Sequence, residues 1–367
     1  TLNARADHFL RQFNGALTSN IFYEASSSME RKREYMYVEV PAGQGVYVWV
    51  DYNENGIMEL DEFEIAPYPD EANFIRVFVP TDDFIRTYST AISQSINLEP
   101  SQLWRESTGW RQFLSRFSNR LNYRIDKKNQ GGLLAENFNP FFTDVEDTLL
   151  VTLNATLRNS LFFNRTHRTW SIEWTIQENS SKSILSNGFE SRVLSSQTWR
   201  TRWNINRQIS LHFTSLYGDR INESEFFERR NYRIRFYDLE PSLNIQPRQN
   251  LRFTVFYGYN SQQNKVGETG EKALIHKGGL ETRVSFPSRG NLQARYQLSQ
   301  IEYPFDVNSP VAFEMLQALR PGTNNIWSIN WQHNLSSYLQ LNLNYNGRKP
   351  PGVAAIHTGT VQLRAFF

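Results

Sequence analysis

The chain has 367 residues, a net charge of +2, 14% aromatic residues and no cysteine. The lack of cysteine excludes a disulfide framework and thiolate metal sites. No apolar run approaches the ~18 residues of a membrane helix, which excludes a helical span but says nothing against a barrel, where polar lumen positions dilute the average hydropathy.

In chain order, residues 15–24 place Leu17, Ser19, Ile21 and Tyr23 on one side of a first strand. Residues 25–83 read as a separate β subdomain with its own chemistry. Between 51 and 83 there are ten acids against Arg76 alone, so this stretch is −9 and the remainder is +11. Tyr35–Val40, Val46–Val50 and Phe74–Val79 read as its strands. Residues 51–62 (DYNENGIMELDE) match a twelve-residue calcium loop. Asp51, Asn53 and Asn55 hold positions 1, 3 and 5, and Gly56 sits at the sharp bend. Ile57 offers a carbonyl, Glu59 fills position 9, and Glu62 at 12 binds through both oxygens. The flanking strands make this a calcium loop grafted into a β subdomain, with a structural Ca²⁺ expected. The plainer alternative is a solvated acidic turn.

From residue 84 onward thirteen segments alternate apolar and polar, each near the ~9–11 residues of a tilted membrane strand. They fall at 84–98, 113–126, 148–162, 168–177, 189–206, 209–218, 230–245, 250–260, 278–287, 290–300, 326–334, 338–346 and 356–367. An ordinary half-buried sheet has the same period; the weight lies in the repetition. Connectors are short at 164–167, 207–208, 246–249, 288–289 and near Asn334. They are long at 127–147, 178–188, 219–229, 261–277, 301–325 and 347–355. Within the 301–325 connector, 310–319 (PVAFEMLQAL) reads as a short helix. The tryptophan pairs Trp170/Trp174, Trp199/Trp203 and Trp327/Trp331 fall on the apolar side. They suit an interfacial girdle or a plain lipid face.

Arginines fall on the opposite, inward phase: Arg124, Arg158, Arg192, Arg200, Arg202, Arg233, Arg235, Arg252, Arg283, Arg295 and Arg364. Fewer acids join them, namely Asp126, Glu173, Glu190 and Glu281. A cationic lumen would favour anionic solutes or an acidic plug segment; the bland reading is that these side chains fill the barrel and pair among neighbours. The last strand puts Val361, Leu363, Ala365 and the terminal Phe367 on one face.

That terminal strand and the alternation before it resemble the integral outer-membrane β-barrels of Gram-negative bacteria, and the acidic insert resembles the elaborated barrels of Bacteroidota. The resemblance implies an all-β, antiparallel transmembrane barrel of about 14 strands, or part of a larger one. Residues 1–24 would supply the first strand, 25–83 the extracellular β subdomain and 84–367 the remaining wall. It also implies that Val361, Leu363, Ala365 and Phe367 form the signal read by the barrel-assembly machinery. Outer-membrane lipid, including LPS, and surface lipoproteins are the expected partners. Thr1 is no initiator, so the chain is read as mature or as a piece of a longer one.

Such barrels serve many ends. Transport or secretion across the outer membrane, or service as the membrane component of a complex that does so, is the leading expectation, and a non-transporting surface scaffold or adhesin-type binding protein using the calcium subdomain is the alternative. No catalytic spacing is visible: His212 lies with Ser210 and Thr214 on the inward phase, away from lipid, so no enzyme is expected. No basic stripe with interleaved aromatics points to nucleic acid.

Overall fold

The computed structural model describes residues 2–130, 137–141, 149–185, 188–225, 227–267, 270–287 and 289–366. Period-two hydropathy and turn-forming connectors produce a meander of antiparallel strands. These are β1 (Leu2–Gln12), β2 (Leu17–Glu39), β3 (Tyr47–Trp49), β4 (Phe63–Ile65), β5 (Phe74–Leu98), β6 (Phe117–Gln130), β7 (Leu150–Phe163), β8 (Trp170–Leu185) and β9 (Gly188–Asn204). They continue as β10 (Ile209–Ser224), β11 (Tyr232–Arg248), β12 (Leu251–Asn264), β13 (Lys272–Phe286), β14 (Gly290–Glu302), β15 (Gly322–Asn334), β16 (Leu339–Lys349) and β17 (Ile356–Ala365). All seventeen belong to one sheet. β3 and β4 pair with each other, and β3 touches β5 at one residue. The other fifteen form the wall, each bonded to the next, with β2 joined to β5 across the insert.

The fold is thus all-β and antiparallel, of the β-barrel kind. Among the described residues no pairing joins β1 to β17, so the wall is open along that seam. Fifteen wall strands stand where the sequence reading expects fourteen. The extra one is β1, whose outward residues Ala4, Ala6 and His8 make a weak apolar face. Several connectors are also shorter than expected. β8 runs on to Leu185 and β10 to Ser224, because backbone pairing continues past the point where the apolar alternation stops.

On the end with short turns, α1 (Ser101–Trp104) and α2 (Trp110–Leu114) link β5 to β6. At the β13–β14 turn Gly290 has φ +128°, and a Cβ there would collide with the Gln332 carbonyl, so the tight turn requires glycine. On the opposite end β2 and β5, of 23 and 25 residues, outrun every other strand and carry the insert away from the wall. The β6–β7 connector folds back over the outer face. Tyr23 Oη donates to the Phe138 carbonyl at 2.7 Å, Thr90 Oγ1 to that of Asn137 at 2.7 Å and Lys127 Nζ to that of Asn139 at 2.7 Å. Beside it Ile92, Ile125, Leu150 and Leu153 form a small core.

The register sorts every side chain to one of two faces, since directly paired residues point the same way. One outer row runs Trp170, Trp203, Leu211, Leu243, Val255, Leu280, Tyr296, Trp327 across eight neighbouring strands without a polar residue. Trp203, Leu211, Val255, Leu280 and Tyr296 in it are exposed. On the other face, the row Asn204, Ser210, Asn244, Thr254, Glu281, Arg295, Ser328, Asn346, Thr358 crosses nine strands and holds no apolar residue.

Candidate functional site

The polar face is the concave one. The insert and the connector between β14 and β15 lie against it, and its side chains line the main cavities. Arg124, Arg158, Arg192, Arg200, Arg202, Arg252, Arg283, Arg295 and Arg364 all lie on this face by register. Some are neutralised there. Arg200 pairs with Glu173 at 3.3 Å, Glu281 lies 2.6 Å from Arg283 and 3.8 Å from Arg295, and Arg124 holds Asp126 at 2.6 Å. Arg202 donates to the His167 carbonyl at 3.2 Å. It also lines a cavity of about 310 Å³ with Arg200 and His212.

Arg233 and Arg235 do not belong to this set. They lie on the outer face, where Arg235 pairs directly with Asp219 in the register and meets it at 2.9 Å. The reason is a reversal of chemistry within β11. Its lower residues Leu239, Leu243 and Ile245 face outward, whereas its upper residues Tyr232, Ile234 and Phe236 face inward. Ile234 is fully buried there with Ala273, Ile301, Tyr303, Val311, Ala312, Met315 and Leu316. An apolar phase read from the upper half therefore assigns the arginines to the wrong side.

The apolar inner patch is covered by a helix, α3 (Pro310–Leu316), which matches the expected 310–319 segment except for its last turn. Ser309 caps it by accepting from the Ala312 amide at 3.1 Å, and Gln317 ends it in the left-handed region at φ +54°. Glu314 reaches Arg220 on β10 at 2.7 Å, and Gln262 on β12 donates to the Met315 carbonyl at 2.9 Å.

The insert is pinned beside this helix. Its own core is aromatic: Tyr37 stacks on Phe63 with centroids 4.0 Å apart, and Phe63 meets Phe74 edge-on at 5.0 Å. Two arginines that the sequence reading does not single out fasten it to the wall. Arg230, with its side chain 5% exposed, lies 3.4 Å from Glu64 of the insert and 3.7 Å from Glu190 of β9. It also donates to the Phe63 carbonyl at 3.3 Å. Arg348 of β16 lies 2.9 Å from Asp70, pairs with Glu71 and sits 4.0 Å over the Tyr68 ring. Asn308, just before α3, donates to the Tyr52 carbonyl at 3.2 Å. Burial pushes the Glu64 and Glu71 carboxyls above the ordinary carboxylate range, with Arg230 and Arg348 respectively pulling the other way. Both anchors are invisible in sequence because their partners in the insert lie more than 160 residues away. The −9 charge of residues 51–83 is the one signal that a cationic counterpart must exist.

The 51–62 loop is wound tightly. Asp51 accepts from the amides of Asn55 at 3.2 Å and Gly56 at 2.8 Å, and Asn55 Oδ1 accepts from Ile57 at 2.6 Å; Gly56 takes φ +71°. The acids are otherwise engaged. Glu62 is 2% exposed and accepts from Trp49 Nε1 at 2.8 Å and from the Tyr52 amide at 3.3 Å; Glu59 accepts from Asn53 at 2.7 Å. Among the described residues no group of three or more His, Cys, Asp or Glu side chains is placed to hold a metal. In β17, Val361, Leu363 and Ala365 face outward opposite Leu343, Leu341 and Leu339, and Phe367 lies outside the described residues.

No family model matches this sequence, and no curated protein does. Among solved structures the chain is similar to the outer membrane channel DcaP of Acinetobacter baumannii, at 9% identity and a TM-score of 0.40, covering 97% of this chain and 99% of that one. It is also similar to a chain from a structure described as "Asymmetric conductivity of engineered proteins", at 8% identity and a TM-score of 0.25, covering 93% of this chain and 100% of the other. At TM-scores this low neither likeness bears on function.

Proposed function

We propose that the chain forms the wall of an outer-membrane β-barrel channel whose outer mouth is stoppered by its own insert and by α3. One observation carries this reading: the unbroken apolar row exposed on the convex face, backed by an unbroken polar row on the concave face. A continuous exposed apolar belt is stable only against lipid, and a polar concave face only against water. The short turns then face the periplasm and the insert faces outside the cell. Lipid of the outer membrane, LPS included, is the partner of the belt. The outward Val361, Leu363 and Ala365 would be presented with Phe367 to the barrel-assembly machinery.

A second reading is favoured by the two buried arginine anchors, which hold the mouth filled: a closed scaffold that displays the insert to surface lipoproteins. Planar-bilayer conductance separates the two. Wild type and an Arg230→Ala/Arg348→Ala variant are compared at equal protein. Anion-selective current that rises in the variant supports the stoppered channel. Silence in both sinks it and leaves the scaffold.

Calcium at 51–62 belongs to the same reading. The wound backbone supports it, and Asp51, Asn53, Asn55, the Ile57 carbonyl, Glu59 and Glu62 would hold the ion once Glu59 leaves Asn53 and Glu62 leaves Trp49. Calcium titration should then change tryptophan emission in wild type but not in Trp49→Phe. Equal responses in both would discard the calcium site.

A further inference from the structure

Between the insert and the wall lies a cavity of about 750 Å³. It spans from β7 to β11 on one side and is bounded by the insert and α3 on the other. Its charged lining is Arg192, Arg220 and Glu314. Arg220 and Glu314 neutralise each other at 2.7 Å. Arg192 is exposed, lies on the concave face of β9, and makes no direct hydrogen bond or ion pair among the described residues, while its charge acts at longer range on Glu64 and Tyr232. It also lines the two smaller cavities that open beside Arg230. The opposite side is apolar, formed by Ile65, Pro67 and Tyr68 of the insert and Phe313 of α3. Ile65 is 51% exposed, an unusual state for an isoleucine held inside a mouth otherwise tightly packed.

A guanidinium with no direct carboxylate contact, facing an apolar surface across a cavity of ligand size, is a two-part recognition element. The cation takes an anion through charge-assisted hydrogen bonds, and the apolar side covers a ring or chain. We propose that this cavity is the selectivity site of the mouth, binding small organic anions with an apolar body, with Arg192 as the anion contact. The proposal rests on the reading of the concave face as a lumen. What sets it apart from a general cationic filter is the apolar surface across the cavity from Arg192; of the arginines nearer the short-turn end, Arg200, Arg283 and Arg295 have carboxylate partners.

The test is ligand-observed saturation-transfer NMR on the full chain in detergent, with benzoate, acetate and benzylamine as probes. Benzoate should bind more tightly than acetate, and benzylamine should give no specific signal. Arg192→Gln should weaken benzoate by at least about tenfold, the size expected for one charge-assisted contact, while Arg192→Lys keeps part of it. Ile65→Ala should lower benzoate affinity and leave acetate unchanged. Arg233→Gln, on the outer face, should bind as wild type and controls for general effects of removing an arginine. Native-like heat-modifiable mobility on gels confirms that each variant is folded. Unchanged benzoate binding in Arg192→Gln, or equal affinity for acetate and benzoate, would overturn the proposal. Binding is read without current, so a silent bilayer removes the channel reading alone, and an Arg192-independent signal in a conducting protein removes this proposal alone.

Discussion

The lower and upper halves of the wall share one pleat and opposite chemistry. In the lower half Leu243, Val255, Leu280 and Tyr296 face out and Asn244, Thr254, Glu281 and Arg295 face in. In the upper half Ile234, Ala273 and Ile301 face in, packed with α3, while Arg235, Gln263, Lys272 and Glu302 face out. The strand parity does not change between the halves; what changes is the medium on each side. Below, the proposed lipid lies outside and water inside. Above, water lies outside and protein inside. Hydropathy follows the medium, and the backbone alternation is indifferent to it.

The largest effect should come from undoing the upper half at its anchor. Arg230→Ala leaves Glu64 and Glu190 without their cation in a site that is nearly closed to water. Breaking a buried pair from one side costs about 3–5 kcal/mol. Proteolysis of the insert should therefore accelerate strongly while the lower wall keeps its heat-modifiable gel mobility. A lower wall that melts with the insert would mean the two halves are one cooperative unit.

The next effect sharpens the contrast directly. Val255→Arg, in the lower outer row, should cost about 2–4 kcal/mol of refolding stability in lipid vesicles, whereas Gln263→Arg on the same face of the same strand should be near neutral. Urea titrations of the two variants give the comparison. Equal costs would break the division into a lipid zone and a water zone.

Smaller still is the pH response of the insert. Glu64 and Glu71 have their proton affinities raised by burial, chiefly against the opposing pull of Arg230 and Arg348. A carboxyl whose docked pKa exceeds its free value binds a proton more readily when docked. Docking is therefore strongest at or below the ordinary carboxylate range, weakens as pH rises through the raised values, and is weakest at neutral pH and above. Amide hydrogen exchange of residues 40–73, corrected for the intrinsic pH dependence, should show greater protection at about pH 5 than at about pH 7.5. The opposite trend would mean that the ion pairs outweigh the cost of burial.

The smallest effect belongs to the outer pair Arg235–Asp219. Both lie above the apolar belt and Arg235 is substantially exposed. A double-mutant cycle should return about 0.2–1 kcal/mol.

The lower half was almost fully legible in sequence. In the proposed reading lipid selects for apolar residues at every second position, and segments such as Leu251–Tyr259 and Leu339–Tyr345 announce their strands and their faces. Legibility fails where that selection stops. Residues 178–185 (ENSSKSIL) pair along β9 as regularly as the residues below them but carry no alternation, and so read as loop. Tyr232, Ile234 and Phe236 alternate cleanly yet face a protein interior, so the same signal that is right for Val255 is misleading for Arg233 and Arg235. The mouth depends on pairings such as Glu71 with Arg348, which no local pattern encodes. In sequence Arg192 is one inward arginine among many. Its distinction is the apolar surface that the insert and α3 place across a cavity from it, which only three dimensions reveal.

The two free edges of the wall have a consequence of symmetry. Fifteen strands in strict alternation leave β1 and β17 running the same way. If they met, they would make the one parallel pair in an otherwise antiparallel ring. A fully antiparallel seal instead demands an odd number of strands running against both edges, whichever polypeptide supplies them. Two copies of this wall, inserted in the same sense in one membrane, offer each other only edges of like direction. Edges of like direction are mismatched for antiparallel zippering, and an antiparallel pairing at either edge takes a strand of opposite sense.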